Sequence, residues 1–328
     1  MIGVRAPLRI SLFGGGTDIP RIFNEIEGCV FSCAINKYVY IFVNKNWPED
    51  DKGVIAKYSL IEKEMHPRYL RHPIMRTVLL NQKVDGVDIS VSSDLPGGTG
   101  LGSSSAFTVA FTLAIKTHLK ESVSKLELAN QACEIEIKFL QEPIGKQDAF
   151  ASAFGGLKVY EFLKSGDTNV KNSLLKEKAL NSLQNSLYLV RVGGFRKTTE
   201  LLQQQLRELD RQSQKISIYS AMANQAKWAS LQTEFNANEF GDMLDQAWQY
   251  KKSLSPSITN LEIEETIERG KKYGATGAKL LGAGGSGFVL FIVPEIHQQK
   301  FLTHMDSLRV ISPKIDAFGA QIVLPKGD

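Results

Sequence analysis

The chain has 328 residues, of which 43% are hydrophobic and 23% are charged. These proportions exclude an intrinsically disordered or fibrous protein, and the length predicts two globular domains with sizeable cores. The 39 Lys and Arg residues exceed the 35 Asp and Glu residues by a net charge of +4, and they form no basic block. We therefore expect no nucleic-acid partner, while an anionic small-molecule substrate is compatible with this charge.

Cysteine use and hydropathy indicate a cytoplasmic protein. Cys29, Cys33 and Cys133 have no second close pair or neighbouring histidine, which excludes a zinc-finger pattern or a disulfide framework and predicts buried thiols. The longest apolar runs are about ten residues, roughly half of what a membrane-spanning helix needs. The amino-terminal sequence MIGVRAPLRI has no signal-peptide pattern. We expect no membrane contact, and an oligomer is possible.

The chain begins with a strand-like run that ends in a triple glycine. The segment RAPLRISLFGGGTDIP places Arg5, Arg9 and Asp18 around this turn. An arginine beside an aspartate keeps the carboxylate ionised, and an aspartate on a glycine turn can accept hydrogen bonds from sugar hydroxyls. Gly15 and Gly16 are then candidates for close approach to a substrate. A plain tight turn is the alternative.

Strand-like and helix-like runs alternate through the rest of the first half. Alternating hydrophobicity predicts strands over CVFSCAINKYVYIFVNK and VDISVSSD, and helical spacing predicts helices over SSAFTVAFTLAIKTHL and KLELANQACEIEIKFL. After these runs, residues 163–186 are polar and poor in bulky apolar side chains. This segment predicts a domain boundary or a surface excursion, and a boundary here would divide the chain into an N-terminal domain, residues 1–175, and a C-terminal domain, residues 176–328.

The stretch PGGTGLGSSSA lies between a predicted strand and a predicted helix. Its glycines leave backbone N–H groups unobstructed, and the helix start adds the positive end of its dipole, which together suit a phosphate. A Walker loop would have lysine where Ser103 stands, and a dinucleotide fingerprint has a different glycine spacing. The serines either cap the helix or ligate the magnesium ion that accompanies a nucleoside triphosphate. The candidate phosphate-binding residues are Pro96, Gly97, Gly98, Thr99, Gly100, Leu101, Gly102, Ser103, Ser104 and Ser105.

Two carboxylates follow this stretch. Glu136 lies in the second predicted helix, and Asp148 precedes the small-residue run AFASAFGG. Magnesium prefers one or two carboxylates together with phosphate oxygens, and a carboxylate can also accept a proton from a substrate hydroxyl. The alternative is that Asp148 caps a helix and Glu136 faces solvent.

The second half combines strands with polar helices. Strands are predicted over LYLVRVGG, FVLFIVP and AQIVL, and helices over TTELLQQQLRELDRQ, NEFGDMLDQAWQYKKSL and LEIEETIERGKKYG. The segment GGFRKTTE makes Arg196 and Lys197 either a pocket for a substrate phosphate or a solvated basic turn. Gly284 and Gly285 belong to a second glycine loop, KLLGAGGSG, which either packs backbone against backbone or approaches the substrate.

Together these motifs resemble those of the GHMP superfamily of small-molecule kinases, over nearly the whole chain. The stretch PGGTGLGSSSA is similar to the superfamily's P-x-x-x-G-L-G-S-S phosphate loop, and KLLGAGGSG to its third motif, with Ser286 in place of a usual glycine. APLR and GGGTD resemble the APGR and GEHTD segments of galactokinases. The resemblance implies a two-domain α+β fold, in which an N-terminal domain with a left-handed β-α-β unit precedes a C-terminal ferredoxin-like domain.

The resemblance also implies roles for individual residues. ATP would be the co-substrate and Mg²⁺ the cofactor, with Ser104 and Glu136 as magnesium ligands. Asp148 would be the catalytic base beside Arg9. Asp18 would bind a hydroxyl of the sugar.

The amino-terminal segment looks most like the branch of sugar-1-kinases that contains D-glycero-D-manno-heptose 7-phosphate kinase. This implies ATP-dependent phosphorylation of the anomeric hydroxyl of a heptose 7-phosphate, a step toward nucleotide-activated heptose for surface polysaccharide. A sugar phosphate needs a cation, for which Arg5, Arg196 and Lys197 are candidates. The alternatives are a related kinase acting on fucose, galactose or an N-acetylhexosamine, and a non-catalytic nucleotide or sugar sensor.

Overall fold

The fold is known from a computed structural model, which describes residues 1–48, 51–194, 201–204, 207, 215–305 and 310–324. Arg196 and Lys197 lie outside these residues. The strands are β1 (Ile2–Phe13), β2 (Gly28–Lys45), β3 (Val54–Lys57), β4 (Ile61–Glu64), β5 (Val87–Ser93), β6 (Leu157–Phe162), β7 (Thr168–Asn172), β8 (Leu187–Val192), β9 (Gly277–Leu280), β10 (Gly287–Ile292), β11 (Val310–Ile311) and β12 (Gln321–Leu324).

Helices cover both halves of the described chain. They are α1 (Pro20–Ile26), α2 (Pro73–Gln82), α3 (Ser103–His118), α4 (Lys125–Cys133), α5 (Gln147–Phe154), α6 (Glu177–Ser186), α7 (Lys215–Ser230), α8 (Ala237–Leu254), α9 (Leu261–Lys272) and α10 (Gln298–Met305). Among the residues described, no helix is long and apolar enough to span a membrane. The three cysteines are buried free thiols, as predicted.

An eight-stranded sheet forms the first half. Its strand order is β12-β1-β2-β5-β3-β4, and the hairpin β6-β7 pairs with the first part of β2. The pairings are antiparallel except for β3 with β5, which are parallel and are joined by a connection containing β4 and α2. Helices α3, α5 and α7 pack against β1 and β2. Because these two strands are covered by helices, nearly all of β1 is buried and its side chains belong to the main hydrophobic core.

A four-stranded antiparallel sheet forms the second half, in the order β11-β8-β10-β9. The chain runs from β8 through helices that include α7, α8 and α9 to the hairpin β9-β10, and then through α10 to β11. This β-α-β-β-α-β sequence of elements is that of a ferredoxin-like fold, which confirms the expected class of the C-terminal domain. Its own core includes Tyr188, Trp248 and Phe291.

The polar segment 163–186 is structured. It contains β7, which pairs with β6, and the amphipathic helix α6, whose Ala179 and Leu183 are buried. The last strand β12 pairs antiparallel with β1, so the end of the chain returns to the first sheet. A single division between residues 175 and 176 stays a prediction. At least one strand of the second half, β12, belongs to the sheet of the first half.

Candidate active site

A cavity of about 250 Å³ lies where the two halves of the molecule meet. Its wall is built from the end of β1 and the triple glycine, the stretch PGGTGLGSSSA, the start of α5, helices α7 and α8, and the second glycine loop. The lining residues used below are Arg9, Ser11, Gly15, Gly16, Asp18, Gly98, Gly100, Gly102, Ser103, Ser104, Ser105, Gln147, Asp148, Tyr219, Lys251, Lys279 and Gly282.

The glycine-rich stretch forms a loop between β5 and α3, as predicted. Gly98, Gly100 and Gly102 have φ angles of 72°, 80° and 76°, a left-handed conformation that L side chains rarely adopt. Gly102 is the residue before α3, and no side chain caps this helix start. The interpretation of the serines as helix caps is therefore wrong. The first turn of α3 keeps its N–H groups directed toward the cavity end of the helix, as an anion site requires.

Two of these serines bind a buried glutamate instead. Ser104 Oγ donates to Glu136 Oε1 at 3.0 Å, and Ser105 Oγ donates to Glu136 Oε2 at 2.7 Å. Glu136 is 2% exposed and lies in a π-helical turn, Glu134–Phe139, that follows α4. Such turns re-aim side chains and are frequent at functional sites. The alternative that Glu136 faces solvent is therefore wrong.

Glu136 and Ser104 together fit a magnesium ion. Carboxylate and hydroxyl oxygens are the donor atoms that Mg²⁺ prefers. Burial raises the pKa of Glu136 to about 7, although the two serine hydroxyls oppose that shift. The pKa of this buried carboxylate stays raised despite two hydroxyl donors, because no cation among the described residues compensates for its burial. A divalent cation bound here would supply the missing positive charge.

Arg9 and Asp148 form a two-pronged ion pair beside the phosphate-binding loop. Arg9 Nε lies 2.7 Å from Asp148 Oδ1, and Arg9 Nη2 lies 2.8 Å from Asp148 Oδ2. The third donor of the guanidinium, Nη1, binds the carbonyl of Gly100 at 2.6 Å. Because the carboxylate is held by Arg9, Asp148 is oriented at the start of α5 by an ion pair rather than by a helix cap.

Asp18 is buried in the wall of the same cavity. Its carboxylate accepts hydrogen bonds from the backbone of Gly16 at 2.8 Å and of Gln147 at 3.0 Å. Burial, and next the negative charge of Asp148, raise the pKa of Asp18 to about 6. The side-chain oxygen atoms Ser11 Oγ and Gln147 Oε1 are buried nearby without a partner in the described structure. A ligand with several hydroxyl groups would satisfy these atoms.

A second cavity of about 440 Å³ also borders the phosphate-binding loop. It shares Gly98, Ser103 and Ser104 with the first cavity, and its wall includes the aromatic rings of His72 and Phe107. These rings lie 4.8 Å apart. A flat aromatic base attached to phosphates on the loop would fit here.

Three predicted substrate residues lie elsewhere. The Arg5 guanidinium lies 4.4 Å from the centre of the Tyr38 ring and donates to Gln321, and Arg5 does not line the central cavity. A Cβ atom on Gly284 would lie 2.9 Å from the backbone of Ile258, so this glycine serves close packing. Gly285 lines a separate cavity beside the start of α9. Their positions do not support substrate contact.

Sequence reasoning missed two lysines in the cavity wall. Lys279 opens the segment KLLGAGGSG, so its position beside a recognised motif was an available signal. Lys251 lies in the lysine pair of a polar helix, which suggests a solvated surface. Neither pattern predicts that both lysines line the cavity, with Lys279 buried and Lys251 half-buried.

Two segments of the chain match known family domains. Residues 69–156 match the family described as GHMP kinases N terminal domain, and residues 229–305 match GHMP kinases C terminal. Together these segments make up half of the chain. The first contains the phosphate-binding loop, Glu136 and Asp148, and the second contains both lysines of the cavity wall.

Several proteins that are similar over most of the length are sugar kinases. A D-glycero-alpha-D-manno-heptose 7-phosphate kinase of Campylobacter jejuni is 25% identical over 304 residues, which cover 89% of each chain. A galactokinase of Thermotoga neapolitana is 27% identical over 317 residues, which cover 88% of each. The crystal structure of a D-glycero-D-manno-heptose 1-phosphate kinase from Bacteriodes thetaiotaomicron superposes over 100% of both chains with a TM-score of 0.79 and 21% identity, which shows a shared fold.

Proposed function

The chain belongs to the GHMP kinase family and is an ATP-dependent sugar kinase, and from this premise we propose that it phosphorylates D-glycero-D-manno-heptose 7-phosphate. The product would be the 1,7-bisphosphate, an intermediate toward nucleotide-activated heptose in the cytoplasm. The observation that carries the proposal is that Arg9 and Asp148 face the same cavity as the phosphate-binding loop. The heptose kinase of Campylobacter jejuni, similar over nearly its whole length, supports this substrate.

The loop and the helix start would hold the ATP phosphates. Backbone N–H groups of the loop and of the first turn of α3 provide donors without a side-chain cation. The adenine base of ATP would occupy the second cavity, against His72 and Phe107. Ser104 and Glu136 would hold Mg²⁺, which when bound neutralises charge on the phosphates.

The sugar would lie between Asp18 and Asp148. Its anomeric oxygen would form the new bond to the γ-phosphorus as the bond to the β-phosphate oxygen breaks, and ADP would leave with that electron pair. Asp148 would orient the hydroxyl and accept its proton. Because phosphoryl transfer is loose and the anomeric hydroxyl is more acidic than an ordinary alcohol, positioning and charge neutralisation should contribute more than base strength.

A galactose or fucose substrate is the second candidate. The Thermotoga galactokinase is about as similar as the heptose kinase. ADP release with magnesium and ATP, measured across heptose 7-phosphate, unphosphorylated heptose, galactose, fucose and N-acetylhexosamines, distinguishes the two candidates. We expect the highest kcat/KM with heptose 7-phosphate. Preferred turnover of an unphosphorylated hexose would replace the heptose substrate with that sugar.

A further inference from the structure

The wall of the central cavity contains two cations that none of the roles above explains, the buried Lys279 and the half-buried Lys251. Lys279 is 5% exposed, and both residues line the cavity together with Arg9. In the part of the chain that the structure describes, neither ammonium group is paired with a carboxylate. A buried charge without a counter-ion is costly, and proteins retain it where a ligand supplies the opposite charge.

Their hydrogen bonds hold both ammonium groups in place without neutralising them. Lys251 Nζ donates to the carbonyl oxygens of Leu280, at 3.0 Å, and Gly282. Lys279 Nζ donates to the carbonyl oxygen of Leu12 at 2.9 Å. An ammonium group has three donors, so these contacts leave two donors on Lys279 and one on Lys251 for a ligand.

The two lysines are anchored to the loops on either side of the reacting centre. Gly282, which binds Lys251, packs so closely on the phosphate-binding loop that a Cβ atom there would lie 2.4 Å from Gly100 Cα. Leu12, whose carbonyl oxygen accepts from Lys279, lies two residues before the triple glycine. The neighbouring Ser11 Oγ is buried without a partner in the described structure. Burial, and next the charge of Arg9, lower the pKa of Lys279 to about 7, so an anion would favour its protonated form.

We infer that Lys279, supported by Lys251, binds a phosphate group in the central cavity. This inference rests on the proposed function. Two phosphates could occupy the place: the one that the sugar substrate carries, and the phosphoryl group that is being transferred from ATP. Both are anions with several acceptor oxygens, which a lysine ammonium recognises as a point charge. Lys279 would be a cation for the sugar phosphate inside the central cavity, which Arg5 does not line.

The test compares Lys279→Met and Lys251→Met with Lys252→Met as the control. Lys252 is the next residue on the same helix, and its Nζ pairs with Glu264 at 3.0 Å, away from the cavity. We expect Lys279→Met to lower kcat/KM by about tenfold or more and Lys251→Met by less, with Lys252→Met unchanged. A higher KM for heptose 7-phosphate, with unphosphorylated heptose unaffected, assigns the sugar phosphate. An equal loss of kcat with both sugars assigns the transferred phosphoryl group.

A measurement on the unmodified protein covers the case in which a variant does not fold. Lysines are acetylated with a trace of acetic anhydride, and the modified sites are read by mass spectrometry with heptose 7-phosphate, with magnesium and ATP, or with no ligand. Protection of Lys279 by either ligand supports the inference. Wild-type activity of the variants, or no protection by either ligand, overturns it. A failure of the proposed function is distinguishable from a failure of this inference. In the first case the wild-type protein would turn over no heptose 7-phosphate.

Discussion

Arg9 contacts three acceptors at once, and this placement fixes what Asp148 can do. Two guanidinium donors bind the aspartate, and the third binds the Gly100 carbonyl of the phosphate-binding loop. The ion pair therefore links Asp148, which we propose orients the sugar hydroxyl, to the loop that we propose holds the phosphates. Because the side chains of Arg9 and Asp148 are only 6% and 23% exposed, solvent weakens this link little.

Asp148→Asn should lower kcat by about a hundredfold or more, since the amide cannot accept the proton. Binding of magnesium and ATP should be nearly unchanged, because the phosphate-binding loop is intact. Steady-state kinetics and calorimetric titration with a non-hydrolysable ATP analogue measure the two quantities. Asp88→Asn is a matched control, since Asp88 pairs with Lys57 on the surface. An Asp148→Asn variant with a near wild-type rate would remove Asp148 from the mechanism.

Ser104 and Ser105 offer a paired test of metal ligation. Both hydroxyls donate to Glu136, but Ser104 is exposed to the cavity and Ser105 is buried. Ser104→Ala should raise the magnesium concentration for half-maximal turnover about tenfold. Ser105→Ala should leave it within about twofold, since this variant removes a hydrogen bond but no metal ligand. Titration of activity with magnesium measures both, and equal effects of the two changes would speak against ligation by Ser104.

Asp18 makes a prediction for pH. Its carboxyl has a raised pKa in the folded protein, so folding favours the protonated form and the ionised form destabilises the fold as pH rises through about 6. Asn does not titrate. The free energy of unfolding of Asp18→Asn relative to wild type should therefore increase by roughly 2 kcal/mol between pH 4 and pH 7. Urea unfolding at both pH values measures this change, and a pH-independent difference would contradict the raised pKa.

For single residues, the sequence predicts those that belong to recognisable motifs and misses those that only the tertiary fold brings to the cavity. Arg9, Asp148, Ser104 and Glu136 were named from motifs, and the structure places them around one loop. Lys251 was not, because a lysine pair on a polar helix looks like solvated surface.

At the scale of elements, the two glycine loops depend on each other. A Cβ atom on Gly100 would lie 2.7 Å from the Leu281 carbonyl oxygen, and one on Gly282 would lie 2.4 Å from Gly100 Cα. The glycine-rich loop PGGTGLGSSSA of the first half is therefore packed, backbone on backbone, against the glycine loop of the second half. Gly282 serves close packing and also lines the cavity, and the approach of KLLGAGGSG to a phosphate or substrate stays a prediction.

Gly100→Ala should lower both stability and ATP affinity. Its φ of 80° costs roughly 1–2 kcal/mol for an L residue, and the contact with Leu281 adds to that cost. Gly166→Ala is the matched control, because Gly166 has a φ of 92° and a Cβ atom there would meet nothing within 4 Å. Thermal unfolding and ATP titration of both variants isolate the contact. Equal losses would mean that backbone strain alone matters at Gly100.

Most elements follow from hydrophobic periodicity, and the exceptions have a physical reason. In β2, the alternation of buried Val39, Ile41 and Val43 with partly exposed neighbours is what predicts a strand. The π-helical turn that buries Glu136 breaks the helical period by one residue, and helical spacing cannot anticipate it. Residues 163–186 looked like a boundary because β7 is an edge strand with little burial.

At the scale of the molecule, the proposed reaction centre is the cavity where the two halves meet. The N-terminal half contributes the phosphate-binding loop, Asp18 and Asp148, and the C-terminal half contributes Tyr219, Lys251 and Lys279. Strand β12 returns to pair with β1, the strand that contains Arg9. The second half is therefore linked to the first both where the chain enters it and where the chain leaves it. The sequence predicted two domains from length, but not this return, because strand partners far apart in the chain leave no local pattern.

The most direct test of the central claim is the phosphorus NMR spectrum of the product. The protein is incubated with magnesium, ATP and D-glycero-D-manno-heptose 7-phosphate until ADP release stops. We predict one new phosphate signal, coupled to the anomeric proton of the sugar, in amounts equal to the ADP formed, beside an unchanged 7-phosphate signal. ADP release without a sugar-bound anomeric phosphate, or a new phosphate on another carbon, would contradict the assignment of the anomeric hydroxyl as the acceptor.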